Sequence, residues 1–404
     1  MNLLKNFKIP GLITATALSV PVGMAALAIH ASQSYAVNNH NVQNSIVDNK
    51  ARIKITKQPK IQLAILLDTS SSMSGLIDQS RQQIWQVVNE FSAATQNGIK
   101  PILEVAVFEY GNSKLNNENG FIRKVSGLTS ELDQVSEALF SLTTDGGEEY
   151  CGYVINTAVN DLNWSDSSND IKSIFIAGNE PFTQGPIPFR KAIAAAKQKG
   201  IVVNTIHAGN HQQGMNTGWQ EGAILAGGNF MSINHNQQVV HINAPQDKRL
   251  AELNTELNQT YIPYGTEGKI KAERQAMQDK NSSAVSAGLL AKRARSKASS
   301  HYRNSQWDLV DAEKEGKVDL DTLEEAKLPA TMRAMSKQER KQYVKKTADK
   351  RTQIKQEILA LSKQRDEFVA AENKKQAKNN DNTMQQALTT AIRNQAKQKN
   401  FKLN

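Results

Sequence analysis

The sequence has almost no cysteine and few aromatic residues. Cys151 is the single cysteine among 404 residues. It has no partner thiol for an intrachain disulfide, and the chain cannot build a cysteine-based zinc site or an iron–sulfur cluster. Any bound metal must therefore be held by oxygen or histidine ligands. Aromatic residues make up 6% and hydrophobic residues 39%, a composition that disfavours both a multi-span membrane protein and a wholly disordered chain.

Several catalytic signatures are also missing. The chain has no glycine-rich phosphate loop, no Gly-x-Ser-x-Gly elbow and no zinc-protease helix motif. Cys151 lacks the signature of a catalytic cysteine, so we expect it to be buried at the start of a helix. We therefore expect a binding protein rather than an enzyme, and a metal-dependent hydrolase is the weaker alternative.

Positive charge is concentrated in the C-terminal part. Residues 244–404 contain 32 Lys and Arg against 21 Asp and Glu, whereas the rest contains 17 against 18. This imbalance predicts two modules with different roles. The basic clusters at 292–297 and 341–351 can form a face for an anionic membrane or a cell-wall polymer, or they can simply solvate long helices.

The first 36 residues have the layout of a secretory signal peptide. Two lysines precede an apolar run from 9 to 31, and the segment ends at Ala36, where we predict cleavage. An uncleaved membrane anchor is the alternative, which Pro21 disfavours. We expect a periplasmic or secreted protein, and no nucleic acid partner, because export separates the chain from DNA. Residues 37–60 are polar and are predicted to be a linker.

Strand-like and helix-like segments alternate from 61 to 242. Ile61 to Leu67 is a continuous apolar run, typical of a strand buried on both faces of a parallel sheet, and a helical stripe follows it. The repeated alternation predicts an α/β fold, a doubly wound and mostly parallel sheet with helices on both faces. Residues 243–404 have the composition of long helices, with a partly disordered tail as the alternative.

The end of the first predicted strand carries the main chemical motif. Asp68-Thr69-Ser70-Ser71-Ser72 places a carboxylate and two hydroxyls at alternate positions on the carboxyl edge of the sheet, where ligands of such folds bind. Oxygen ligands of this kind suit a hard divalent cation. The alternative is that Asp68 or a serine only caps the following helix.

The order of the motifs resembles a von Willebrand factor type A domain over about residues 60–241. The resemblance rests on the Asp68 motif, a strand ending in Val107-Phe108, the Gly146-Gly147 turn before a helix, the strand at 201–206 and the segment at 225–230. It implies a metal-ion-dependent adhesion site in which Ser70 and Ser72 bind the ion directly and Asp68 acts mainly through water. The implied cofactor is Mg²⁺, with Mn²⁺ or Ca²⁺ as alternatives. The implied partner is a protein that supplies an acidic residue to the metal.

Two parts of the family pattern are altered in this chain. The loop that should supply a threonine reads Thr143-Thr144-Asp145-Gly146-Gly147-Glu148-Glu149, and its two glutamates can equally favour the positive end of the next helix. The family's second acidic residue aligns with Gly178, so Asn179 or Glu180 would have to substitute for it. The predicted metal ligands are therefore Asp68, Ser70, Ser72, Thr144, Asp145, Glu148, Asn179 and Glu180.

Overall fold

The computed structural model describes residues 58–91, 94–233, 242–375 and 384–403. The predicted signal peptide and nearly all of the predicted linker lie outside these ranges, as do His235 and His241. Within the described ranges, none of the helices combines the length and the apolar character that a membrane crossing requires.

The central feature is a six-stranded sheet. The strands of the chain are β1 (Lys60–Asp68), β2 (Thr95–Gln96), β3 (Ile102–Tyr110), β4 (Ile122–Thr129), β5 (Ile171–Gly178), β6 (Val202–Ala208), β7 (Phe230–Ile233) and β8 (Phe401–Lys402). The sheet order is β4-β3-β1-β5-β6-β7, and every neighbouring pair is parallel except β3 and β4. Without the short β2, this is the doubly wound order 3-2-1-4-5-6. The predicted α/β fold class is confirmed.

Thirteen helices are found among the described residues. They are α1 (Ser74–Glu90), α2 (Leu132–Phe140), α3 (Cys151–Asp161), α4 (Phe189–Gln198), α5 (His211–Asn216), α6 (Trp219–Ala226), α7 (Asp247–Asn258), α8 (Gly268–Val285), α9 (Ala287–Ala298), α10 (Leu309–Lys314), α11 (Ala330–Arg333), α12 (Lys337–Lys375) and α13 (Met384–Gln398). From residue 243 to the end of the described chain the structure is mainly helical, as the composition predicted.

Strand β1 is buried on both faces because its side chains alternate between two hydrophobic clusters. Leu63 and Leu67 belong to the cluster on one face, whereas Ala64 and Leu66 belong to the cluster on the other. The first cluster continues into the C-terminal helices, where Leu253 of α7 and Ile358 of α12 are members of it. The sheet and the C-terminal helices therefore share one hydrophobic core. The predicted domain boundaries themselves stay a prediction.

The C-terminal helices begin and end at identifiable residues. Helices α8 and α9 are separate, because Ser286 adopts an extended backbone and its hydroxyl accepts a hydrogen bond from the N–H of Leu289 at 3.0 Å. Ser336 forms a capping box at the start of α12: Ser336 N–H donates to the Glu339 carboxylate at 2.7 Å, and Glu339 N–H donates to Ser336 Oγ at 3.3 Å.

Three of the nine cations in the two predicted basic clusters are inside the protein, whereas the four lysines at 341–350 are exposed. Arg293 and Lys297 are both fully buried. Arg293 forms ion pairs with Asp133 of α2 at 2.8 Å and with Asp279 of α8 at 2.5 Å, and Lys297 pairs with Asp279 at 2.9 Å. In the basic cluster at 341–351, Arg351 is buried and forms an ion pair with Asp308 at 2.6 Å. These cations hold the helices together and attach them to the sheet layer.

A small strand pair joins the end of the described chain to the edge of the sheet where the parallel strands begin. Strand β8 pairs antiparallel with β2, which lies just before β3. The amide of Gln96 donates both to the carbonyl oxygen of Lys399 at 2.8 Å and to that of Asn169, just before β5, at 2.9 Å. Residues 399–402 are therefore fixed at the amino edge of the sheet.

Removing the Arg293 guanidinium is expected to destabilise the fold strongly, because Asp133 and Asp279 would lose a buried counter-charge. We expect Arg293→Ala to lower the free energy of unfolding by about 3–5 kcal/mol. The measurement is urea unfolding followed by circular dichroism. Lys269→Ala is the control, since that exposed side chain only forms a long ion pair with Glu273. Similar midpoints for the two variants would contradict the structural role of Arg293.

His301 is expected to make stability depend on pH. Burial lowers the pKa of His301 from its usual 6.5, and its Nε2–H donates to the carbonyl oxygen of Phe91 at 2.6 Å. Below pH 6.5 the unfolded chain binds a proton that the folded chain excludes, so stability falls as the pH drops. In urea unfolding between pH 5 and 8, His301→Gln should lose less stability toward low pH than wild type. Equal pH dependence of the two proteins would contradict this assignment.

Candidate metal site at the carboxyl edge of the sheet

The site begins where β1 ends. Asp68 is fully buried and Ser70 is 2% exposed, because the loop folds back over the sheet edge. Thr69 N–H donates to the carbonyl oxygen of Tyr110, the last residue of β3, at 2.8 Å, and Ser70 N–H donates to Asp68 Oδ1 at 2.8 Å. The hydroxyl oxygens of Ser70 and Ser72 lie 3.3 Å apart. The alternate spacing therefore brings one carboxylate and two hydroxyls together, as predicted.

The glycine-containing loop before α3 is hydrogen-bonded to this serine loop. Ser71 N–H donates to the carbonyl oxygen of Gly146 at 2.8 Å, and Asp145 N–H donates to that of Thr69 at 3.1 Å. A methyl group on Gly147 would lie 2.9 Å from Cβ of Ser70, closer than packing allows. Glycine at 147 thus permits the two loops to approach each other.

The loop after β5 supplies a third group. The side-chain amide of Asn179 donates to Ser72 Oγ at 3.2 Å. The structure therefore brings together four of the predicted ligands, namely Asp68, Ser70, Ser72 and Asn179. Their roles as ligands stay predictions.

The other four predicted ligands are placed differently. The Asp145 carboxylate forms an ion pair with Lys114 at 3.0 Å. Glu148 is exposed and accepts a hydrogen bond from the Tyr150 hydroxyl at 3.2 Å. Thr144 and Glu180 are half-buried near the site, and the carbonyl oxygen of Glu180 accepts a hydrogen bond from Trp219 at 2.8 Å.

Glu149 is the residue that the sequence analysis did not select. It is 6% exposed, whereas its neighbour Glu148 points to solvent. A methyl group on Gly111 would lie 2.8 Å from Cγ of Glu149 and 3.0 Å from Oδ1 of Asp68, so the two acidic side chains converge at that point. The sequence shows two consecutive glutamates before a helix, but nothing in it indicates which one turns inward.

Burial dominates the electrostatics of both acids. It raises the pKa of Asp68 to about 7, although hydrogen bonds from Ser70 act in the opposite direction. Burial also raises the pKa of Glu149, and the nearby charge of Glu180 adds to that effect. Each group is therefore held where its negative charge is poorly solvated.

The oxygen atoms present fit a hard cation. Asp68 Oδ2 and Asn179 Oδ1 are buried acceptors without a hydrogen-bond partner in the described part of the chain. Asp68 Oδ2 and the two serine hydroxyls are oxygen atoms of the kind that Mg²⁺ prefers, whereas Asn179 presents its amide nitrogen to Ser72. No cluster of three or more His, Cys, Asp or Glu side chains with metal-binding geometry occurs among the described residues, so a site here depends on hydroxyl oxygens as well as carboxylates.

The expectation that Cys151 is buried at the start of a helix is confirmed. Cys151 is buried as the first residue of α3, and burial raises the pKa of its thiol. Trp85 and Trp219 are both fully buried core residues.

A side chain at position 178 is expected to disturb the site. A methyl group there would lie 2.5 Å from the Tyr110 hydroxyl and 3.0 Å from Asp68 Oδ2. We expect Gly178→Ala to lower the free energy of unfolding by about 1–3 kcal/mol in urea titrations. Gly127→Ala is the matched control in β4, because nothing lies within 4 Å of the added methyl. Equal stability of both variants would show that position 178 has room for a side chain.

No protein-family model matches the sequence, and no curated protein matches it either. Similar solved structures include the SpRpn10 VWA domain, with 16% identity, 45% of this chain and 100% of that chain covered, and a TM-score of 0.32. An aerotolerance-related membrane protein from Bacteroides fragilis has 14% identity, 44% and 93% coverage, and a TM-score of 0.31. Proximal thread matrix protein 1 from the mussel byssus, with a zinc-occupied MIDAS motif, has 13% identity, 45% and 43% coverage, and a TM-score of 0.31.

The match spans less than half of the mussel protein's own length. The strand order 3-2-1-4-5-6, with hydrogen-bonded loops at the carboxyl edge, gives residues 60–233 a doubly wound α/β fold, and the similar solved structures include a VWA domain.

Proposed function

We propose that this chain binds a divalent cation at the carboxyl edge of its sheet and uses it to bind an acidic residue of a protein partner. The observation that supports this proposal is the convergence of the buried Asp68 carboxylate with the Ser70 and Ser72 hydroxyls, which are 3.3 Å apart. Asn179 lies beside them and donates a hydrogen bond from its side-chain amide to Ser72. When bound, a hard cation such as Mg²⁺ keeps part of its coordination shell for water or for an outside carboxylate.

The protein's own groups have three tasks in this proposal. The Asp68 carboxylate is held in place by Ser70 N–H. The two serines supply hydroxyl ligands at different depths, because Ser70 is buried whereas Ser72 is exposed. The amide of Asn179 orients Ser72 through a hydrogen bond at 3.2 Å. The site is thus held rigidly on its inner side and is accessible from outside.

Binding rather than turnover is part of the proposal. A metal-dependent hydrolase would need a group that activates water or attacks a substrate. The Cys151 thiol does not favour such a role, because it is buried and its pKa is raised. Export and a periplasmic or secreted location, expected from residues 1–36, belong to the same proposal.

Contact with an anionic membrane or a cell-wall polymer has weaker support. The cluster at 292–297 was one of two sequence features behind that hypothesis. Its Arg293 and Lys297 are fully buried and paired with acids. Cations in internal ion pairs are not available to an external polymer, so we favour the site at the sheet edge.

The ion itself is the first test of the proposed function. We expect the metal-stripped chain to bind Mg²⁺ or Mn²⁺ in isothermal titration calorimetry. The double variant Ser70→Ala/Ser72→Ala should bind at least about tenfold more weakly, because both hydroxyl ligands are removed. Ser71→Ala is the matched control, since Ser71 lies in the same loop with an exposed side chain. Equal affinity of wild type and the double variant would contradict the site.

Partner binding is tested separately by capture from envelope extract on the immobilised chain. Capture should require Mg²⁺, and it should be lost with a chelator or in the double variant. Equal capture under all of these conditions would contradict metal-assisted adhesion and would leave the fold unaffected.

A further inference from the structure

The predicted ligand set is short of negative charge. Sequence comparison with the family pattern places Gly178 where a second acidic residue is expected. The structure leaves no room for a side chain there, because a methyl group would lie 2.5 Å from the Tyr110 hydroxyl and 3.0 Å from Asp68 Oδ2. The adjacent Asn179 is neutral. A divalent cation is costly to dehydrate, and Mg²⁺ sites in proteins commonly use one or two carboxylates.

Glu149 reaches the same place from the opposite loop. A methyl group on Gly147 would lie 2.1 Å from Oε1 of Glu149 and 2.9 Å from Cβ of Ser70, so the carboxylate lies beside the serine ligand. Across Gly111, Cγ of Glu149 faces Oδ1 of Asp68. Both acids are nine-tenths or more buried, with exposed fractions of 6% for Glu149 and 0% for Asp68.

These two acids differ from the buried acids of the helical region in having no cationic partner. Asp279, Asp308 and Asp247 are each paired with arginine, at 2.5, 2.6 and 2.6 Å. Among the described residues, no lysine or arginine forms an ion pair with Asp68 or Glu149, and Asp68 Oδ2 has no hydrogen-bond partner there either. Two adjacent buried carboxyl groups without a counter-charge provide a place for an external cation.

We infer that the Glu149 carboxylate is the second anionic ligand of the cation, in place of the acid that position 178 cannot accommodate. This inference rests on the proposed function. Asp68, Glu149 and the Ser70 hydroxyl would hold the ion, and its second acidic ligand would come from the loop before α3 instead of the loop after β5.

A structural role at the start of α3 is the competing explanation, because acidic residues near a helix N-terminus are stabilising. Glu148 provides a matched comparison. It lies in the same loop, one residue further from the helix start, but its carboxylate is exposed and accepts a hydrogen bond from the Tyr150 hydroxyl. A helix-end effect would act on both residues, whereas ligation would involve Glu149 alone.

The test compares the full chain with Glu149→Gln and Glu148→Gln. After chelator treatment, Mg²⁺ and Mn²⁺ binding is measured by isothermal titration calorimetry. We expect Glu149→Gln to weaken binding at least about tenfold, and Glu148→Gln to leave it unchanged. Thermal unfolding gives a second readout: saturating Mg²⁺ should raise the Tm of wild type and Glu148→Gln much more than that of Glu149→Gln. Without metal, Glu149→Gln should be at least as stable as wild type, because a buried charge has been removed.

Each contrary outcome has a distinct meaning. If the wild-type chain takes up neither ion, the proposed function and this inference are both overturned. If wild type and Glu149→Gln bind with equal affinity, only the role of Glu149 is overturned, and the serine site stands. A metal-free Glu149→Gln chain that is less stable than wild type, with unchanged ion affinity, would identify Glu149 as a structural residue of the α3 start.

Discussion

Asp68 combines a charged side chain with a position that excludes water, and the proposed chemistry depends on that combination. Strand β1 is buried on both faces, so the residue that ends it is carried into the interior at the sheet edge. A carboxylate in such a place needs hydrogen bonds, a proton or a nearby cation. The protein supplies hydrogen bonds from Ser70 and from the Asn179 backbone, but no cationic side chain in the described part of the chain forms an ion pair with this carboxylate. A divalent cation would balance this arrangement.

The sheet and the serine loop could be predicted from the sequence because both are encoded locally. An unbroken apolar run marks β1, and a run of this kind fixes where the strand stops and hence where Asp68 lies. The inward turn of Glu149 could not be predicted, because it depends on the close approach of two loops that are far apart in the chain. Gly111 and Gly147 make that approach sterically feasible, but a glycine in a sequence does not reveal which neighbour occupies its free space.

The basic C-terminal part shows a second limit of sequence interpretation. Lys and Arg at 292–297 suggested a surface for polyanions, yet Arg293 and Lys297 are buried among carboxylates from α2 and α8. A surplus of cations in one segment says nothing about which acids elsewhere in the chain will face them. Asp133 lies on α2, one of the helices that pack against the sheet. These ion pairs therefore make the C-terminal helices a second layer over α1 and α2, not a separate appendage.

The β2–β8 pair determines which end of the sheet faces away from a support when the molecule is tethered through its C-terminal end. It fixes residues 399–402 at the end of the sheet where β1, β3 and β5 begin, and the serine loop lies where those strands finish. Any tether that continues from residue 403, natural or engineered, therefore leaves from the pole opposite Ser72. A molecule held by that tether would keep its serine-bearing pole directed away from the support.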